Sequence, residues 1–381
     1  MIIVFYNILG CQISMTSKKI LHLLSAGGMG GIEMLCRDLA KYDGRDENEF
    51  CFLYGGGIIE QELIQMGKSV YSLYHKSHLE RVIRLVQIVV ERKYDVVVVH
   101  HEGNGIYLFF LILCTLFPRK RFIKYLHCAY EEQYVYSGNR CKNWLTGYIL
   151  KQCMKRADMF VAVSEFVGKS YCDAFRIEKK KMRVIYNGIQ LNTNAAQRKT
   201  RENDIYHLLY IGRVVEIKGI ELLIRAVYDL CKEGHRIELE IVGDGVAMER
   251  CQVLCHELHI QDKIFFRGIQ MNKEPYFNKA DIFVYPSICQ EAFGISIIEA
   301  MDYGVICIAS DVGGIPEIIT DGVDGYLFQR NDTVDLEQKI SLAIRTIENV
   351  ADNSMRLAAR QRAKDFSINR MVTQYQEIVN A

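Results

Sequence analysis

Two kinds of block alternate along the chain. Short runs that are apolar at nearly every position are bounded by Gly, Pro or Asp, and longer stretches with apolar residues at helical spacing lie between them. Residues 20–24, 50–54, 95–99, 121–126, 159–163 and 182–186 read as strands, with helices over 32–42, 79–91 and 105–116 among them. Strands apolar on both faces, separated by helices, predict a parallel sheet covered on both sides. The same grammar restarts further on. Strands at 206–211, 237–242, 263–266, 281–285 and 305–309 follow one another, with a helix at 220–231 after the first.

Between the two series lies a polar segment poor in structure signals, 190–204, which puts a boundary near 188–204. Two doubly wound halves across a linker leave a cleft where the carboxyl ends of both sheets can face each other, the usual ligand site of open α/β sheets. A length of 381 residues suits two domains, each burying its own core, and 50% apolar with 24% charged residues is an ordinary globular composition. Thirteen cysteines, scattered singly and without a CxxC pair, argue for reduced thiols over a disulfide framework or zinc site.

The net charge of +1 hides an asymmetry. Residues 1–190 carry 26 Lys and Arg against 18 Asp and Glu, and residues 191–381 carry 21 against 28. The basic clusters 119–121, 151–156 and 179–181 all lie in the first half. No nucleic-acid-binding signature accompanies them, so an anionic membrane surface is the better partner and nucleic acid is not expected. The longest apolar run, 105–118, falls short of the length a membrane span requires. The first 14 residues lack the basic start of a signal peptide, and Met15 reads as the natural start after a weakly ordered leader.

Candidate chemistry gathers where strands end. Glu291 and Glu299 bracket an apolar run opening with Phe293-Gly294. On a helix they would lie about 12 Å apart along the axis, too far to share a proton and suited to two ends of one elongated ligand. The order strand, glutamate, helix places Glu291 and the Phe293 and Gly294 amides at a helix N-terminus, which attracts anions and hydroxyl-rich ligands. Arg213 and Lys218 follow the 206–211 strand and precede a helix, a flat fork and a point charge that suit a diphosphate. The glycines at 27, 28, 30 and 31 resemble a phosphate cradle, but Glu33 stands where GxGxxG requires glycine, which disfavours nicotinamide dinucleotides. His127 ends the 121–126 strand and faces the cleft. His100-His101 also ends a strand, but adjacent side chains on an extended chain point apart, so no metal site is read there. Neither a P-loop lysine nor an Asp-x-Asp metal motif occurs.

Taken in order, these segments resemble the retaining GT-B glycosyltransferases of the "group 1" family. The match runs through Gly30-Gly31-Ile-Glu33, His127, Val161-Ala-Val-Ser-Glu165, Val184-Ile-Tyr-Asn-Gly188, Gly212-Arg213 with Lys218-Gly219, and Val242-Gly-Asp-Gly245. It continues through Glu291 to Met301, Gly304, Ser310 to Glu317 and Asp324-Gly325, so that it spans the chain from about Lys18 onward. The resemblance implies a GT-B fold: a Rossmann-like domain at 15–188, a second at 189–365 binding the donor, and a last helix at 366–381 crossing back to the first. It implies that Arg213 and Lys218 hold the diphosphate of a nucleotide sugar such as a UDP- or GDP-sugar. Glu299 would bind the ribose, and Glu291 with the amides of Phe293, Gly294 and Ile295 the donor sugar. His127 would lie near that sugar, and the Gly30-Gly31 loop near the phosphates and acceptor. No cofactor and no metal are implied. The implied reaction is retaining, metal-independent transfer of a hexose-type sugar to a glycan or lipid-linked acceptor. It would serve cell-surface polysaccharide or glycolipid synthesis in the cytoplasm, with peripheral contact at the inner face of the membrane. A sugar-nucleotide epimerase on the same fold and a non-catalytic sugar-nucleotide-binding subunit are the alternatives.

Overall fold

A computed structural model describes residues 17–28, 30–100, 104–131, 140–192, 204–349 and 353–381. Met15, the leader, His101 and Glu102 lie outside the described residues.

The apolar runs of the first half are strands β1 (Lys19–Leu24), β2 (Glu47–Phe52), β3 (Val70–Ser72), β4 (Val96–Val99), β5 (Arg121–Leu126), β6 (Met159–Ala162) and β7 (Met182–Val184). They form one parallel sheet in the order β3-β2-β1-β4-β5-β6-β7. The second half supplies β8 (Tyr206–Ile211), β9 (Ile237–Val242), β10 (Ile264–Gly268), β11 (Ile282–Tyr285), β12 (Ile306–Ser310) and β13 (Tyr326–Phe328). These too are parallel, in the order β10-β9-β8-β11-β12-β13. In each sheet the strand order reverses once, between β1 and β4 and between β8 and β11, and loops leaving on either side of such a reversal open a crevice. The glycine loop follows β1 and His100 follows β4. Lys218 follows β8 and Glu291 follows β11.

The helix Ile58–Gln65 and strand β3 go beyond the elements that the sequence pattern predicts. Val70–Ser72 is an edge strand with no buried residue, so it lacks the apolar signature of the other strands. The last helix begins at Ile368, after a 3-10 turn Lys364–Phe366, because Ser367 caps it by accepting from the Arg370 amide. Among the described residues no helix is long and apolar enough to cross a membrane.

Among the contacts that join the halves, three sets brace the cleft. The amide of Ile189 donates to Phe366 O at 2.9 Å and that of Ile368 to Ile189 O at 2.8 Å, tying the two chain crossings together. The helix Ile368–Asn380 lies against the first half, where Gln376 donates to Asp43 at 2.7 Å and Arg121 to the Val379 carbonyl at 3.0 Å. Glu317 of the second half caps the helix Glu165–Phe175 of the first, accepting from the amides of Glu165 and Phe166 at 2.8 Å each. Those amides have no partner within their own helix, and a carboxylate at this end also meets the positive end of the helix dipole. Glu317→Ala is expected to lower stability by about 1–2 kcal/mol, as loss of a good helix cap does. An unchanged urea midpoint in that variant would show the cap to be energetically idle.

Candidate active site

On the second half's side of the cleft the site is organised by one buried pair. Lys218 ends the 3-10 turn Glu216–Lys218, and its ammonium lies 2.5 Å from Glu291 Oε1 and donates to the Tyr285 hydroxyl at 3.1 Å. Glu291 accepts in addition from Ser287 Oγ, and both charged side chains are about 90% covered, at 10% and 11% exposure. Two glycines let the backbones come this close. Gly219, at φ +67°, has no room for a Cβ, which would sit 2.0 Å from Pro286 O. Gly313, at φ +57°, lies against the backbone of Glu291, and the next residue, Gly314, donates to Glu291 O at 2.8 Å. Both φ values lie in the left-handed region that glycine enters at no steric cost. Burial, reinforced by Glu291, pushes the Tyr285 hydroxyl well up, so it stays a neutral donor.

Glu291 lies in the loop before the helix Ile295–Asp302, as the order strand, glutamate, helix predicts, and Glu299 is on that helix, so the spacing along a shared helix does not apply to the pair. Gly294 is the N-cap, and the amides of Ile295 and the next residues form the helix start that faces the cleft. Phe293 is buried and stacks on Tyr186 at 5.6 Å, which anchors the loop. Glu299 is held by Lys273, whose ammonium lies 3.0 and 2.8 Å from its two oxygens. Lys273 is absent from the sequence reading, since it sits in a polar loop with no motif around it. Arg213 is exposed and its guanidinium makes no ion pair among the described residues.

Across the cleft, Gly30 caps the helix Gly31–Tyr42 and Gly31 lines the cavity. His127 directly follows β5 and is buried at 8% exposure. Its Nε2 is 3.1 Å from His100 Nδ1, and His100 Nε2 is 2.8 Å from His22 Nδ1. His22 Nε2 in turn is 2.8 Å from Asn48 Oδ1. His100 therefore belongs to a buried file of imidazoles, which the sequence reading of the His100-His101 pair does not anticipate. Burial lowers the His22 pKa to about 4, against the raising pull of Asn48 and Asp43.

These groups converge on a cavity of about 560 Å³ lined by Gly31, His127, Arg213, Lys218, Glu291 and the stretch Phe293 to Ser296. A second cavity of about 420 Å³ shares Gly31, Asn187 and Ile295 with it and contains Glu299 and Lys273. Thus Arg213, Lys218, Glu291, the helix start and His127 meet in one hollow, and Glu299 lies in the adjoining one. The arrangement offers cationic groups and amides for an anion, a carboxylate for hydroxyls and an imidazole opposite.

Two family models match the chain, "Glycosyltransferase Family 4" over residues 29–193 and "Glycosyl transferases group 1" over residues 192–364. An uncharacterized glycosyltransferase of Methanocaldococcus jannaschii is 25% identical over 363 residues, covering 89% of this chain and 90% of that protein. Another from the same organism is 32% identical over 185 residues, so the match spans 45% of this chain and about half, 47%, of that relative. The crystal structure of HepE from Anabaena in complex with UDP and glucose has the same fold, with a TM-score of 0.79 at 19% identity over 96% of this chain and 100% of that one.

The histidine file makes stability depend on pH. The folded state keeps His22 neutral down to about pH 4, whereas the unfolded chain protonates it near 6.5. Between these values the unfolded state binds more protons, so its contribution, on the order of 3 kcal/mol, is complete above pH 6.5 and lost on going down to pH 4. His207 is lowered in the same direction by burial and Lys279, so both contribute. Unfolding free energy measured from pH 7 to pH 4.5 should fall, and should fall less in His22→Asn; equal slopes would contradict the buried neutral imidazole.

Proposed function

This chain belongs to the group 1 glycosyltransferases, and we propose that it transfers a hexose-type sugar from a nucleotide diphosphate sugar to a glycan or lipid-linked acceptor with retention of configuration. The observation that carries this reading is the convergence of Arg213, Lys218, Glu291 and the Ile295–Asp302 helix start in one cavity facing His127. Breaking the anomeric C–O bond leaves its electron pair on the departing diphosphate and positive charge on the sugar. Arg213, Lys218 and amides at the helix start are suited to the first charge without a metal or cofactor. Glu291 would accept from sugar hydroxyls once Lys218 turns to the diphosphate, and Glu299 in the adjoining cavity would accept from the ribose. The binding of UDP and glucose by HepE supports a UDP-sugar as the donor. Retention is supported by the family resemblance.

A peripheral membrane contact is supported by a different surface from the basic run 119–121. There Lys120 is bound to the Tyr94 carbonyl at 2.5 Å and Arg121 to that of Val379 at 3.0 Å, so these charges are engaged within the fold. The helix Arg140–Arg156 contains five basic residues and no acidic one. Trp144, Leu145 and Tyr148 on it are 73%, 51% and 52% exposed, and Lys151 and Lys155 continue the stripe at helical spacing. An exposed Trp and Tyr backed by lysines is the composition of an interfacial helix.

A thermal-shift series with UDP-, GDP- and ADP-sugars should raise the melting temperature with one nucleotide class. Arg213→Ala should weaken that shift and lower kcat/KM by about 100-fold, the loss of roughly 2.7 kcal/mol expected of one charged contact to the transition state. Arg213 is the suitable probe because it is exposed and its removal strands no buried partner. Full activity in Arg213→Ala would sink the assignment of the diphosphate site. Trp144→Ala with Lys151→Glu should reduce sedimentation with anionic vesicles while leaving neutral vesicles unaffected; unchanged sedimentation would remove this helix from the membrane contact.

A further inference from the structure

The ammonium of Lys273 and the carboxylate of Glu299 are brought together by two short helices that pack on each other. Lys273 directly precedes the helix Glu274–Lys279, and its carbonyl accepts from the amides of Tyr276 and Phe277 at 3.1 and 3.2 Å, which fixes its backbone at the helix start. Phe277 on that helix is buried and stacks on Tyr303 at 5.1 Å. Tyr303 in turn follows the helix Ile295–Asp302 that carries Glu299. Packing therefore sets the distance between the two charged groups. They are partly sheltered, at 30% and 22% exposure, and both line the cavity of about 420 Å³.

One ammonium reaches both oxygens of Glu299, at 3.0 and 2.8 Å. A carboxylate held at one oxygen can still turn about its last bond, whereas one held at both keeps a single plane. The contrast with the other pair is direct: Lys218 bonds only Oε1 of Glu291 and can leave by giving up one contact, while Lys273 would give up two. Among the described residues no other group donates to the Glu299 carboxylate. An ionised carboxylate offers about four lone-pair sites. Lys273 takes one on each oxygen, so one on each is left over, side by side. Two hydroxyls on neighbouring carbons fill such a pair of sites; a single hydroxyl fills one. Lys273 also cancels the charge of Glu299, so a ligand carrying phosphates meets a neutral pair and not a bare like charge.

We propose that Lys273 is a positioning residue that stays on Glu299 in the complex and holds the carboxylate so that its two remaining acceptor sites meet the 2′- and 3′-hydroxyls of a ribose together. Lys273 thereby helps the site to select a ribonucleotide over one that lacks the diol. The proposal rests on the reading of Glu299 as the ribose contact.

The test keeps the two apart. Whichever of UDP, GDP and ADP raises the melting temperature most is titrated by calorimetry into the full chain, beside its 2′,3′-dideoxy counterpart. Two hydrogen bonds to a charged acceptor should favour the ribonucleotide about 100-fold. In Lys273→Met that ratio should fall by about 3- to 10-fold, the loss expected when one more side chain has to be ordered on binding. Both ligands carry the same charge, so the ratio does not register the charge that the substitution removes. A role of Lys273 in packing alone would lower both affinities alike and leave the ratio in place. Equal binding of the two ligands by the wild-type chain, or binding of neither, sinks the ribose reading of Glu299 and this proposal with it. Discrimination in the wild-type chain with an undiminished ratio in Lys273→Met leaves that reading standing and overturns the role of Lys273. Lys273→Gln, which keeps a polar side chain there without the charge, takes its place if the Met variant does not fold.

Discussion

An ammonium and a carboxylate in direct contact, each only about a tenth exposed, set the terms for the second half's wall of the cleft. Taking two charges out of water costs several kcal/mol per ion, and their attraction offsets that only when the remaining hydrogen-bonding capacity is also met. Tyr285 and Ser287 meet it here, and the left-handed glycines at 219 and 313 let the two backbones approach closely enough. A diphosphate for Lys218 and sugar hydroxyls for Glu291 would be replacement partners of matching kind, so a ligand offering both would exchange one satisfied arrangement for another. The same constraint governs how variants are read. Alanine at Lys218 or Glu291 leaves the other charge buried and alone, so lost activity in either single variant reports stability as much as contact.

The facing wall follows the opposite rule. It joins its polar groups in series, through His127, His100, His22 and Asn48, with His22 kept neutral by burial. Lys124, 0% exposed, runs beside this file with its ammonium 3.3 Å from the carbonyls of His100 and Tyr125. The cleft thus sets a buried ion pair on one face against a file of hydrogen-bonded imidazoles on the other. That division suits a reaction in which charge builds up on the leaving group while the sugar must be held in one pose.

Much of this was legible in the residues because buried parallel strands write themselves as apolar runs and the residues that line the cavity follow their carboxyl ends. Arg213, Lys218, Glu291 and His127 were found on that ground. The edge strand Val70–Ser72 was not, since one polar and two half-buried residues leave no pattern. The contact between Lys218 and Glu291 spans 73 residues of sequence and that between Lys273 and Glu299 spans 26; no local spacing encodes either. His22 did leave a trace. A histidine at the centre of an otherwise apolar strand must find a buried partner, and the sequence shows the need for one without showing which residue provides it.

The wall that carries His127 is braced by an element reached from the second half, and the wall that carries Glu291 by a segment of its own half that also contacts the first. The segment that supplies Glu317 to cap the Glu165–Phe175 helix also carries Gly313 and Gly314, which press on and hydrogen-bond the backbone of Glu291. The C-terminal helix, reached only after the chain has run through the second sheet, supplies Gln376 and Tyr375 to the far end of the file that ends at His127. A displacement of one half against the other would therefore work on Glu291 through its backbone and on His127 through Asp43 and Asn48, before any ligand is touched. Docking of the halves and alignment of the two facing residues then depend on the same contacts. That is the physical reason for a chain that crosses back at its end instead of stopping when the second sheet is complete.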